Sequence, residues 1–464
     1  MNIEQTLLTA DSLLREGRHE EAGPMLRDAL SRDPNNAAAL WSLAFAYMKG
    51  EKWGVAYNLL KRAIELEPGE HKLWCNLAAA ALSMASIAND DKLLDEAEQL
   101  LHKSIRKAGE TTNALNHLAL ISVNRGLPAK AQEFAQRSLK LDPSQADVLE
   151  TLGYAQLAQG NWKEGFANYD CAINNSKMRM LEPFDGEPHW DGSDGVKLFV
   201  RGEQGIGDEI SYASAIPDAV KHGNTVTYEC DRRLEGLMRR SFPDVTVHGT
   251  RFAKRNWKGE FDAHCLSGSL CREYRQKAED FPRKGFLIPD PQRRIQWRAL
   301  LDTLPGKKVG ISWAGGLPNT FSGRRSFNLR GLEPLLKTPG ISWVSLQYRD
   351  AEAEIAAMRE RGINIHHWER AVGKGVDYDE TAALVSELDC VVSVCTAVVH
   401  LSGALGKKCL VLAPSKPRWW YGMSGREHAW YDSLEIYRQT DKWPVERVTE
   451  RLKEYLSLKQ AVAA

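Results

Sequence analysis

SRDPNNAAAL (Ser31–Leu40) and ELEPGEHKLW (Glu65–Trp74) carry the same punctuation, an acidic residue and a proline ahead of an apolar run, with Pro34 and Pro68 separated by 34 residues. KLDPSQADVL continues the series at Pro143, and Gly109 in KAGETTNAL precedes it by another 34. Between Pro68 and Gly109 the interval is 41, and the surplus of seven falls near SIANDDK (Ser86–Lys92), where it is expected to lengthen the connection between two helices. Aligned on these marks, Ala22, Ala56, Ala97 and Ala131 coincide, and so do Leu43, Leu77, Leu118 and Leu152. Small residues belong where paired helices come too close for a larger side chain, and leucines where each first helix makes its main apolar contact. A generic helical bundle has no reason to repeat both at one period.

With aromatics at Tyr47 and Trp74, this stretch resembles tetratricopeptide repeats, helix-turn-helix units of 34 residues, over residues 1–177, the first and last units degenerate as end caps. The resemblance implies a curved stack whose concave face holds an extended peptide or a partner protein. Such an array binds and supplies no catalytic chemistry.

The remaining sequence is long enough for further cores, since 464 residues exceed what one core can bury. Lys+Arg and Asp+Glu are equal at 61 each, so no net field draws the chain to nucleic acid or an anionic membrane. The longest nearly apolar stretch, Leu77 to Ala88, falls short of the roughly 18 residues a membrane span needs. The N-terminal MNIEQTLLTADSLLREGR has acidic residues where a signal peptide carries positive charge, so a cytoplasmic location is expected. The eight cysteines are scattered, with no CxxC pair and no neighbouring histidine at zinc-ligand spacing; reduced thiols and no metal site are expected.

After Met180 the texture changes to LEPFDGEPHWDGSDG, which reads as a linker over 178–196. Short apolar runs then alternate with amphipathic stretches: LFVRG, TVTYEC, VTVHG, KVGISWAGG, ISWVSLQ, INIHHW, LDCVVSVCT and KCLVLAP. This predicts parallel sheets covered by helices. The proline-rich FPRKGFLIPDPQRR (Phe281–Arg294) marks a boundary between two Rossmann-like lobes, 197–305 and 306–464, the second beginning near Lys307.

Ligands of such sheets bind beyond the carboxyl ends of the strands. In RGEQGIGDEISYASAIP (Arg201–Pro217), a strand runs into a Gly205-x-Gly207 turn and a helix opening at Asp208. Spacing alone makes Asp208 a helix cap, and a general base is the alternative. In VSVCTAVVHLSGALGKK (Val392–Lys408), a buried strand ends at Cys395-Thr396 and a helix begins at Ala397, whose free N–H groups form an anion site. His400 is either a donor to an oxyanion or a structural histidine. In WAGGLPNTFSGRRSFNL (Trp313–Leu329), Gly315 and Gly316 permit close approach and Arg324-Arg325 offer planar forks for phosphate, or else belong to a solvated loop. Gln347 and Trp419–Gly422 are expected to border the same crevice.

GEQGIGDE, ISWAGG with its downstream RRS, SLQ, and DYDETAALVSELDCVVSVCTAVVHLSGALGKK, in this order, resemble bacterial heptosyltransferase-like enzymes of the GT-B fold. With PHWDGSD (Pro188–Asp194) and WYDSLEIYRQ (Trp430–Gln439), nearly the whole chain resembles tetratricopeptide-repeat proteins carrying such a glycosyltransferase domain. The resemblance implies that Asp208 is the base and also caps. It implies that Thr396, Ala397 and His400 hold the donor diphosphate; from their places after the strands, Trp313, Gly315, Gln347, Arg324 and Arg325 are expected beside them on the donor side, and Gly205 and Gly207 in the loop at Asp208. Many heptosyltransferases have Asp where this chain has Cys395, so the identity of sugar and nucleotide does not carry over. No Asp-x-Asp sits at a strand end, and GT-B enzymes stabilise the departing diphosphate with a helix dipole and basic side chains. Metal independence and no cofactor are therefore expected, with a nucleotide sugar as substrate.

The function expected is transfer of a sugar to an acceptor protein, flagellin or another surface protein, held by the repeats. The alternatives are transfer to a lipid or polysaccharide precursor, and a non-enzymatic scaffold with a decayed transferase domain.

Overall fold

A computed structural model of the chain describes residues 2–173, 179–180, 182–316, 322–373 and 375–458. The chain forms two compact units that divide between Thr151 and Leu152.

The first unit is a series of antiparallel helical pairs: α1 (Ile3–Arg15) with α2 (His19–Arg32), α3 (Ala37–Lys49) with α4 (Trp53–Leu66), α5 (His71–Ala88) with α6 (Asp91–Ala108), and α7 (Thr112–Asn124) with α8 (Pro128–Leu141). Polar residues at the repeat boundaries start the first helices. Asn36 Oδ1 accepts the Ala39 N–H at 3.0 Å, and Thr111 Oγ1 accepts that of Ala114 at 3.3 Å. Ala22, Ala56, Ala97 and Ala131 are completely buried, and the leucine series is buried alongside them.

The seven surplus residues do something other than lengthen a loop. α5 and α6 have 18 residues each, against 13 and 14 for α3 and α4, and only Asn89 and Asp90 separate them. Seven residues are about two helical turns at 3.6 per turn. One turn added to each arm of an antiparallel pair leaves both buried stripes in phase, so this solution keeps the core intact. Asn89, left-handed at φ 56°, ends α5, and Asp90 caps α6 by accepting the Lys92 N–H at 2.9 Å.

The next pair, α9 (Ala146–Ala158) and α10 (Trp162–Asp170), continues the period, with Gly165 in the alanine position. A Cβ at Gly153 would lie 2.5 Å from Tyr169 N, and one at Gly165 would lie 2.9 Å from the Leu157 side chain, so these helices approach through glycine. The end of α9 and all of α10 belong to the second unit, whose core includes Leu157, Phe166 and Tyr169. The expected division at 177 thus falls later than the division between compact units.

The second unit is α/β. Its first sheet takes β1 (Lys197–Arg201), β2 (Thr225–Glu229), β3 (Thr246–His248) and β4 (Ala263–Leu266) in the order β3-β2-β1-β4, all parallel. Helices α11 (Ile206–Ala213), α12 (Ile216–Lys221), α13 (Glu235–Ser241) and α14 (Ser269–Tyr274) accompany it. Helix α15 (Pro291–Leu301) leads to the second sheet, which opens at Lys307 with β5 (Lys307–Ser312). The chain continues through α16 (Glu333–Leu336), β6 (Ile341–Ser345), α17 (Glu352–Arg359), β7 (Ile365–His366), α18 (Glu369–Val372), α19 (Tyr378–Glu387), β8 (Cys390–Val394), α20 (Ala397–Ala404), β9 (Cys409–Ala413), β10 (Leu434–Arg438) and α21 (Val445–Tyr455). The order is β10-β9-β8-β5-β6-β7, again all parallel. There are thus two separate sheets, not one continuous sheet. Helix α15, expected in the first lobe, packs on α19 of the second, where Trp297 Nε1 donates to Glu380 at 3.0 Å and Arg294 and Arg298 share Glu387. The chain therefore crosses between lobes in the proline-rich stretch before Pro291.

Candidate functional site

Strand order reverses between β1 and β4 in the first sheet and between β5 and β8 in the second, so each lobe has its crevice beyond those carboxyl ends. The loops picked out from the sequence follow β1, β5 and β8.

The loop after β1 is tightly braced. Glu203 is buried and accepts from Arg179 Nε at 2.8 Å and from the Gly268 amide at 2.9 Å. Arg179 is itself buried, donating also to Asp170 and the Tyr169 carbonyl, with its guanidinium over the Tyr169 ring. Gln204 is held at φ 58°, its side chain donating to the Tyr169 hydroxyl at 2.7 Å and its carbonyl accepting from Arg251. Glu209 turns inward to Arg251 at 2.5 Å and the Asp231 N–H at 2.7 Å, and a Cβ at Gly202 would collide with its carboxylate. Asp208, its neighbour on α11, accepts the Gly205 N–H at 3.1 Å, one half of a capping box. Burial raises the Asp208 carboxyl above the usual range, while the Gly205 bond and the charges of Arg418 and Arg325 pull it down. The cap is therefore present, and the carboxylate is the stronger base for its burial.

Across the crevice, Gln347 is fully buried and ties down the start of the loop after β5. Its Oε1 accepts the Trp313 and Ala314 N–H groups at 3.2 and 3.0 Å, and its Nε2 donates to the Ala314 carbonyl at 2.7 Å. Trp313 is also buried, its indole donating to Glu354 at 3.1 Å. Both were expected on the donor side; in the structure both are buried and hydrogen-bonded within the protein, where they brace the loop. Gly315 and Gly316 follow. A Cβ at Gly315 would lie 2.5 Å from Thr396 Cγ2, and one at Gly316, where φ is +87°, would collide with the Arg325 guanidinium. Arg325 donates to the Cys395 carbonyl at 3.4 Å, and Arg324 precedes it in the same 3-10 turn, Ser322–Arg325. Residues 317–321 of this segment lie outside the described residues.

Thr396 is the N-cap residue of α20 without a side-chain capping bond; its hydroxyl meets Ser393 Oγ at 3.2 Å. α20 packs on α11, and a Cβ at Gly207 would lie 2.9 Å from His400 Cδ2 and 3.1 Å from Ala397 Cα. The two helix N-termini therefore meet, which brings Asp208, Gly207, Ala397, Thr396, Gly315 and Arg325 into one place. His400 is buried behind this contact, Nδ1 2.8 Å from Ser211 Oγ and Nε2 3.4 Å from the Tyr421 hydroxyl. Burial and the Arg325 charge lower its imidazole to about 3. Two roles were open from sequence, and the buried, hydrogen-bonded position of His400 at the seam between lobes fits the structural one. Cys395 is likewise a buried thiol pushed up to about 12 by burial.

Sequence reasoning missed Arg418, Arg179 and Ser211. Arg418 follows β9 in APSKPRWW and could have been found by the rule applied to the other strands. Arg179 lies in the stretch taken for a linker, and no local pattern marks it. Among the described residues no group of histidine, cysteine and carboxylate side chains could hold a metal ion, and no helix is long and apolar enough to cross a membrane.

Residues 13–54 match the family model for the tetratricopeptide repeat. The first unit carries tetratricopeptide repeats. The chain is similar to Protein FlbA of Caulobacter vibrioides, 29% identical over 429 residues that make up 87% of this chain and 70% of that protein. It is also similar to the Protein STIP1 homolog of Dictyostelium discoideum, 28% identical over 167 residues, 34% of this chain and 28% of that one. Among solved structures, a thermophilic tetratricopeptide-repeat protein of Thermus thermophilus aligns over 36% of this chain and 88% of its own, with 21% identity and a TM-score of 0.34.

Proposed function

We propose that the chain is a GT-B glycosyltransferase that moves a sugar from a nucleotide donor to an acceptor protein engaged by its repeats. One observation carries the reading: the crevices of two parallel sheets meet at the N-termini of α11 and α20, with a burial-raised carboxylate, Asp208, in the field of Arg325 and Arg418. In this reading the donor diphosphate lies at the N-terminus of α20, bounded by Thr396, Gly315 and Arg325, where backbone N–H groups and guanidinium favour an anion. Asp208 removes the acceptor proton as the new bond forms, and the dipole and arginines take up charge on the departing diphosphate. Gln347, Trp313 and His400 hold these groups in place.

The test is hydrolysis of a panel of nucleotide sugars by the purified protein, followed by single-turnover transfer. Asp208→Asn is expected to lower turnover by roughly 100-fold with diphosphate affinity nearly intact. Asp208→Ala should also lose about 1 kcal/mol of stability, the cap's share. Calorimetry on Arg325→Ala should show weakened nucleoside diphosphate binding. A stable Asp208→Asn protein with wild-type transfer would remove the base, and no hydrolysis of any donor would favour a binding scaffold.

A further inference from the structure

The first sheet of the second unit has helices on one face only. Leu198, Val200, Val226, Tyr228, Val247 and Cys265 point into the core shared with α11 to α14, while Phe199 and its neighbours on the alternate positions lie outside that core. The connection from β3 to β4, Gly249 to Asp262, contains no helix among the described residues. It covers part of the other face with aromatic rings: Phe261 stacks on Phe199 at 5.2 Å, and Trp257 lies between His248 at 4.0 Å and Phe184 at 4.9 Å. What stays uncovered is an open groove of about 820 Å³, within the size range of small-molecule sites.

Its floor is Thr225, Thr227 and Thr246, and its walls are the part-exposed rings of Phe184, Trp257 and Phe261. Lys197 and Lys258 are matched there by Asp185 and Glu260, so the groove has no net charge to attract phosphate or an acidic chain. It lies on a sheet face, where the main chains of β1 and β2 are already paired on both sides. Of the floor strands only β3 has an outer edge, so an extended peptide would join the sheet along that edge, beside the groove and not on its floor. Hydroxyls from the floor and aromatic rings from the wall suit a neutral ligand whose own surface alternates hydroxyl groups with C–H patches.

We infer that this groove is a saccharide-binding site for a neutral oligosaccharide, separate from the crevice at Asp208. The inference rests on the groove alone and stands apart from the transferase reading, because its test contains no donor and reads no transfer. Saturation-transfer NMR on the full chain with maltotriose and triacetylchitotriose should show binding of at least one, with a Kd roughly in the millimolar range, and no binding of trigalacturonate. Thr227→Trp and, at an exposed position, Thr246→Trp would fill the groove and are expected to abolish that signal with melting temperature unchanged; UDP at saturation should leave it intact. Absence of binding by both neutral sugars, persistence in both filled variants, displacement by UDP, or binding of a neutral hexapeptide in their place would each overturn it.

Discussion

His400 shows how a residue's surroundings decide its chemistry. An unfolded imidazole titrates near 6.5, whereas burial and Arg325 hold this one down to about 3. Between those values the unfolded chain binds a proton that the folded one excludes. Stability from this group is therefore complete above about pH 6.5 and is lost as pH falls through the window, by at most about 1.4 kcal/mol per pH unit. His400→Asn should flatten the acid limb of urea unfolding between about pH 6.5 and 4, leaving the parts due to His117, His189, His248, His366 and His428, which burial also lowers. An unchanged acid limb would mean that His400 is protonated in the native state. Gly207 offers a complementary check: Gly207→Ala pushes a methyl into Ala397 and His400 and should cost about 1–3 kcal/mol, read as a lower melting temperature. The structural role of His400 was one of two readings, but neither its partner nor the contact at Gly207 could be read in advance. Ser211 is 189 residues from His400 in sequence, and an isolated histidine carries no sign of a partner that far away. Gln347 misled for the same reason, since an amide after a strand looks alike whether it faces a ligand or its own backbone.

At the scale of elements, the alanine and leucine series was legible because each position meets the same neighbour in every repeat, so one steric demand is written several times. The alternation of strands and helices was legible for a similar reason: burial on both faces leaves continuous apolar runs. The seven-residue surplus was misplaced because a loop and an added helical turn have similar polar outer surfaces, and only the partner helix distinguishes them. Asn89 is the joint that allows the longer pair to close. Asn89→Gly should keep the melting temperature of the first unit, while Asn89→Val, β-branched at φ 56°, should lower its stability by about 1–2 kcal/mol. Equal stability of the two variants would show that the backbone there relaxes out of the left-handed region.

The whole chain cannot be cut where its repeat pattern stops. A fragment beginning at residue 178 discards Phe166 and Tyr169, which pack against Trp419 and Trp430 within the second unit. That fragment should aggregate or bind a hydrophobic dye, whereas one beginning at Ser144 should melt cooperatively; similar melts for both would mean that α10 is dispensable. The same aromatic cluster makes the second unit its own optical probe. Of the 14 tryptophans, only Trp41, Trp53 and Trp74 lie outside it. Trp419 and Trp420 stack at 4.1 Å, with Trp430 4.8 Å from Trp420, close enough for coupled transitions and rapid transfer of excitation. Near-ultraviolet dichroism and indole emission from the intact chain will therefore report on this unit almost alone, and the repeats can loosen or engage a partner with little change in colour.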